Sequence, residues 1–161
     1  MREPEKEEHH EALHLLGCPE VPVQTSIALY LMYLLRERGI RSTVAGTKAA
    51  RSLVDLADPE RHYVSGIMDL DEYIGMLAEG RLDYGHSFVY IHNDAGVSYA
   101  ATVSALTKGQ AYAIVFGSHA EERAAEITFK CRVIAAKVTH NPMPLKIKIE
   151  KALEEELHGL R

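Results

Sequence analysis

The sequence predicts an α/β protein of three layers: a doubly wound, mostly parallel sheet of five to six strands with helices on both faces, Rossmann-like or flavodoxin-like. Short apolar runs recur at Ala12 to Leu16, Phe88 to Ile91, Ala111 to Phe116 and Val133 to Thr139, and each meets a Gly or His before a helix-like stretch begins. Strands that alternate with helices read as βαβ units, which build a parallel sheet covered on both faces. A chain of 161 residues fits one domain. At that size folding buries roughly 70% of the surface of the unfolded chain, so no disulfide is needed. Residues 1–10 read as a charged flexible tail and residues 11–161 as the single domain.

Strand one, Ala12 to Leu16, leads through Gly17, Cys18 and Pro19 into a helix from about Pro22 to Arg38, which Gly39 stops. Strand two, Arg41 to Val44, is followed by Ala45, Gly46 and Thr47 and a helix to about Ala57, ended by Asp58 and Pro59. A third strand, Tyr63 to Met68, precedes a helix that Asp69 caps, with Glu72 at the reciprocal capping-box position. Strand four, Phe88 to Ile91, meets His92, Asn93 and Asp94 and a helix to about Thr107, after which Lys108 and Gly109 turn the chain. Strand five, Ala111 to Phe116, enters a helix through Ser118, with Glu121 three positions on as a second capping box. Strand six, Val133 to Thr139, ends at His140, Asn141 and Pro142. An amphipathic helix carrying Leu145, Ile149, Leu153, Leu157 and Leu160 follows.

The 47% hydrophobic and 25% charged composition is that of a soluble globular protein. A net charge of −5 and the lack of a basic stripe argue against coating nucleic acid, which relies on clustered Lys and Arg. Met1 to His10 carries Arg2, Glu3, Glu5, Lys6, Glu7 and Glu8 without an apolar h-region, so it reads as the tail of a cytoplasmic protein rather than a signal peptide or anchor. Cys18 follows strand one and Cys131 precedes strand six, which places them at opposite ends of a parallel sheet. A strand length of about 17 to 20 Å then separates them, too far for a disulfide.

Two helices are poor in charge. Val21 to Leu35 has no charged residue and is apolar on most sides, and Ala95 to Thr107 is uncharged and rich in small residues. A helix apolar all round is buried all round. Helices 21–35 and 95–107 therefore lie in the middle of each face or make a subunit interface, most simply a homodimer. Neither has the roughly 20 apolar residues a bilayer crossing needs.

In open parallel sheets ligands bind outside the carboxyl ends of the strands, where strand order reverses. That rule selects Gly17, Cys18, Pro19 and Gln24 after strand one, and Gly46, Thr47 and Lys48 after strand two. It adds His92, Asn93 and Asp94 after strand four, Ser118 and His119 after strand five, and His140 and Asn141 after strand six. No G-x-G-x-x-G and no G-x-x-x-x-G-K-[ST] occurs. The first and last helices open with two prolines each, which removes the N–H groups that cradle anions. Gly46, Thr47 and Lys48 form the best anion site on offer. Cys18, just before a helix, is either a reactive thiolate or a small buried residue in a tight turn. His92 or His140 serves as a general acid or base if the protein is an enzyme, with Asp94 the orienting carboxylate and Asn93 and Asn141 holding the substrate. Cys18, His92, His119 and His140 ligate a metal only if their loops converge. His9, His10, His14, His62, His86 and His158 read as surface or local residues.

The segments Leu16-Gly17-Cys18-Pro19-Glu20 with Pro22-Val23-Gln24, Ala57-Asp58-Pro59-Glu60, and His140-Asn141-Pro142-Met143-Pro144-Leu145 resemble a small uncharacterised α/β family found mainly in methanogenic archaea. The resemblance extends over nearly the whole chain apart from the tail. It implies a three-layer α/β/α fold and an archaeal cytoplasmic setting, and brings no activity, substrate or catalytic residue with it. The expectation is a protein that binds a small ligand, nucleotide-like or corrinoid-like, at the carboxyl edge of its sheet. The alternatives are a non-catalytic interaction subunit of a larger assembly and a metal-dependent enzyme using strand-end His and Cys.

Overall fold

The computed structural model describes residues 10–157. Its strands are β1 (Glu11–Leu16), β2 (Arg41–Gly46), β3 (Val64–Asp69), β4 (His86–Ile91), β5 (Gln110–Val115) and β6 (Arg132–Ala135). They form one sheet in the order β3-β2-β1-β4-β5-β6, every neighbouring pair parallel. This is the Rossmann order rather than the flavodoxin one, and the order reverses between β1 and β4. The N-terminal tail, His9, Leu160 and His158 lie outside the described residues.

The helices are α1 (Val23–Arg36), α2 (Lys48–Ala57), α3 (Leu70–Ala78), α4 (Asp94–Leu106), α5 (Ala120–Ala125) and α6 (Met143–Glu156). One face of the sheet carries α1 flanked by α2 and α6, and the other carries α3, α4 and α5. Side chains of a strand alternate between faces. Ala12 and Leu16 of β1 therefore join the core under α1 with Val44, Phe88 and Ile114, while Leu13 and Leu15 join Tyr73, Val89, Val103 and Val115 on the opposite side. No charged residue interrupts α1 before Arg36 because Val23, Ile27, Ala28, Leu31, Met32 and Leu35 are all buried at the centre of its layer.

Local chemistry sets the element ends. Gly39 at φ 75° follows α1. Thr47 accepts the Ala50 N–H to cap α2, Asp69 accepts those of Asp71 and Glu72 to cap α3, and Asn93 accepts that of Gly96 to cap α4. The box expected at Ser118 does not form: α5 starts after His119 without a side-chain cap, and Ser118 is exposed. β6 is also shorter than expected. The Ala136 N–H still reaches the Val115 carbonyl, but Val138 turns back onto Ala136, so the chain leaves the ladder there. His14 and His86, read as surface or local residues, are both buried inside the sheet, because β1 and β4 are covered on both faces. Cys18 and Cys131 are free thiols. Among the described residues no helix is long and apolar enough to cross a membrane.

Candidate functional site

The reversal of strand order puts the ends of β1 and β4 side by side. Leu15 stands opposite Val89, and three residues further along each chain come Cys18 and His92. The loops above them are knitted together. The Phe116 N–H donates to the Ile91 carbonyl, Gly117 to Val138, and Val23 to Thr139. Gly117 has φ 94°, and a Cβ added there would lie 3.6 Å from His92 Cβ and 3.8 Å from Val21 Cγ2. Gly96 has a related role: a Cβ would lie 3.0 Å from the Ile91 Cα and 3.2 Å from its Cγ2, so a side chain there would press the start of α4 away from β4.

Two buried polar atoms at this junction have no partner among the described residues: Oε1 of Gln24 and Nδ1 of His92. Gln24, 1% exposed, donates its Nε2 to the Gly17 carbonyl, which fixes the orientation of the amide and leaves the oxygen as an acceptor. The His92 ring stacks on Phe116 with centroids 5.6 Å apart, and its side chain is 5% exposed. Burial lowers its pKa, and the Glu20 carboxylate, 3.7 Å from Nε2, opposes that shift. Nε2 also lies 3.5 Å from the Asn93 amide nitrogen, so whether Nδ1 offers a lone pair or an N–H is set by which of these two neighbours Nε2 engages. The Gln24 orphan is a hydrogen-bond acceptor, and the His92 orphan is a ring nitrogen that takes a polar partner of either kind according to its tautomer. Cys18 is exposed at the mouth of the same turn rather than buried in it, because the loop from Gly17 to Pro22 lifts it clear of the sheet.

The other expected residues scatter. The carboxylate beside His92 is Glu20, not Asp94, which is exposed and ion-pairs with Arg123. Asn93 caps α4 and Asn141 accepts the Met143 N–H at the opening of α6. His140 is exposed, its Nδ1 3.1 Å from the Thr139 hydroxyl, and His119 pairs with Glu122 on the surface. At β2 the Thr47 hydroxyl is used in its own cap and its N–H donates to Leu16, while Arg51 holds the Gly46 carbonyl and Lys48 is exposed. The Gly46-Thr47-Lys48 segment is a helix start. Among the described residues no three His, Cys, Asp or Glu side chains gather as metal ligands, so Cys18, His92, His119 and His140 do not converge. Reading the loops one by one underrated Gln24 and Glu20. The available signal was a lone glutamine at the opening of an otherwise apolar helix.

Residues 13–152 match the family described as "Domain of unknown function (DUF1890)". The chain belongs to the DUF1890 family. It is 34% identical over 143 residues to the uncharacterized protein MJ0452 of Methanocaldococcus jannaschii, covering 88% of this chain and 95% of that one. It also superposes on the solved structure of MT0777 with a TM-score of 0.84 at 39% identity, over 91% of this chain and 98% of the other. The DUF1890 relatives agree with the family resemblance and the α/β fold. They bring no activity, so the chemistry rests on the residues at the β1–β4 junction.

Proposed function

We propose that this DUF1890 protein binds a small ligand at the carboxyl edge between β1 and β4, and that the ligand presents an N–H or O–H donor to Gln24 Oε1 and a polar group to His92 Nδ1. The observation that carries the reading is the pair of orphaned polar atoms at the point where a Rossmann sheet ordinarily binds its ligand. A buried polar atom without a partner costs about 1–3 kcal/mol, which is retained where function repays it. Glu20 and Cys18 are exposed beside these atoms, so the ligand would approach from their side.

Gln24→Leu tests this without a known ligand. The variant removes the orphaned oxygen and gives up one hydrogen bond, so its urea-denaturation stability is expected within about 1 kcal/mol of the parent. A screen of nucleosides, nucleotides and amides by thermal shift should then find compounds that raise the parent Tm by mass action but leave Gln24→Leu and His92→Phe unmoved. A loss of more than about 2 kcal/mol in Gln24→Leu, beyond the worth of the bond to Gly17, would make the amide structural and end the reading.

A second reading, self-association, is favoured by the outer side of α4, where Ala95, Ser98, Ala105 and Leu106 are exposed and uncharged.

A further inference from the structure

We infer that the amino edge of the sheet, opposite the carboxyl edge, holds a second site that takes a phosphate group, free or as a small monoester. A cleft of about 330 Å3 opens where α1 ends and β2 and β3 begin, and Arg36, Arg41, His62, Tyr63 and Ser65 line it. Arg36 is the anchor. Its guanidinium lies over the Tyr63 ring at 5.7 Å and donates from Nη1 to the His62 carbonyl at 3.0 Å, and among the described residues no carboxylate pairs with it. A guanidinium held between a ring face and a backbone carbonyl keeps its remaining N–H donors placed for a planar or tetrahedral oxyanion.

Backbone geometry adds a neutral donor. The ladder between β2 and β3 pairs Ser42 with Val64 and then Thr43 with Gly66, so Ser65 is skipped as a bulge, and its side chain is re-aimed at the cleft it lines. The remaining polar groups sit in solvent-exposed pairs. Arg41 pairs with Glu11 at 2.6 Å and the His62 ring meets Glu60 at 3.1 Å, and the carboxylate side chains are 42% and 78% exposed. Such surface pairs contribute little and give way to a better-placed anion. The negative end of α1 lies nearby, but its last carbonyls are already occupied. Gly39 N–H donates to Arg36 O, Ile40 N–H to Leu35 O, and Arg38 Nη1 to Leu34 O. The groove beside β6 is also basic, yet its Arg132 is held by Glu155 and Glu156 and its Lys148 donates to the Ala135 carbonyl. The cleft at the amino edge is where an unpaired Arg, a second Arg and a hydroxyl meet in a concave space with room for more than a bare phosphate.

The test is an amide chemical-shift titration of the full chain with inorganic phosphate and, separately, glycerol phosphate, at constant ionic strength. Saturable shifts are expected at Arg41, Tyr63 and Ser65, with the monoester binding more tightly if the remaining space is used and the free ion more tightly if it is not. Arg36→Gln and Arg41→Gln should each weaken binding about tenfold, the scale of one charge-assisted hydrogen bond, without altering the melting temperature by more than a degree or two. Lys48→Gln, at the other edge of the sheet, should leave it unchanged. Non-saturating shifts, shifts centred on Thr47 and Lys48, or equal weakening by all three variants would overturn the proposal in favour of unspecific surface charge. Because the carboxyl-edge reading depends on Gln24→Leu, either proposal can fail without the other.

Discussion

His14 sits at the middle of β1, fully buried, with Nδ1 2.9 Å from the Tyr90 hydroxyl, Nε2 3.0 Å from the Ser42 hydroxyl, and its ring stacked on Phe88 at 5.3 Å. Both ring nitrogens meet neutral hydroxyls rather than a carboxylate, so nothing offsets the cost of burying a positive charge there. Burial pushes its pKa down to about 3. In the unfolded chain an imidazole titrates near 6.5. The folded value lies below the unfolded one, so as pH falls the unfolded chain takes up the proton first. The stability present above pH 6.5 therefore drains away as pH drops toward 3. Between pH 7 and pH 5 this single group is expected to remove about 2 kcal/mol, at 1.36 kcal/mol per pH unit below the unfolded pKa. Urea denaturation at the two pH values measures the loss, and His14→Gln should abolish most of the difference. A parent whose stability is flat over that interval would show that the His14 pocket opens to admit a proton.

At the scale of the element, the turn between α2 and β3 shows how one side chain can fix a junction that local pattern only hints at. Asp58 caps the end of α2, and its carboxylate, 3% exposed, accepts the backbone N–H groups of His62, Tyr63 and Val64 at 2.8, 2.9 and 3.1 Å. Burial alone would raise its pKa, but the three N–H donors hold it below the ordinary carboxylate value. Asp58→Ala should cost about 3 kcal/mol, since hydrogen bonds to a charged group are worth about 1.5–3 kcal/mol and three N–H groups lose their acceptor. Denaturant unfolding at pH 7 measures the cost. As pH falls below the ordinary carboxylate range the gap between variant and parent should narrow, because the unfolded parent takes up a proton that the folded Asp58 resists. In the sequence, Asp58-Pro59 signals a helix stop, and that is visible. The triple acceptor is not, since it depends on where β3 enters the sheet. The same division runs through the other elements. Caps at Thr47, Asp69 and Asn93 follow from residue type at a strand-to-helix turn, whereas Ser118 satisfies the capping pattern and caps nothing, because the short α5 begins one residue later.

Strand order is a property of the whole molecule. Alternating apolar runs and helix stretches are enough to require a parallel sheet, but they do not say which strands are neighbours, and so do not say which loops meet. The β1–β4 junction brings Glu20 to His92 from a separate segment and anchors Gln24 on Gly17 beside it, while Asp94 and His140, equally plausible in the sequence, turn outward to Arg123 and to Thr139. The two uncharged helices part in the same way. The inner apolar surface of α1 is taken up by the sheet and by α2 and α6 on either side, while Tyr33 is exposed and Leu29, Tyr30 and Leu34 are half-buried. The side of α4 away from the sheet has no such cover: Ala95, Ser98, Thr102 and Ala105 form a stripe at helical spacing, three of them exposed, with Leu106 41% exposed beside it. Small uncharged residues let two helices approach closely, and a two-fold axis through this stripe would pair it with itself. On this basis the chain is expected to run in light scattering as a dimer near twice its 17.9 kDa at tens of micromolar. Ser98→Glu or Ala105→Glu would place like charges face to face across the axis and return it to the monomer mass. The same substitutions leave the isolated fold alone, since solvent-facing changes of this kind shift stability by about 0.5 kcal/mol or less. A monomeric parent would remove α4 as an interface and leave its uncharged face as ordinary solvated surface.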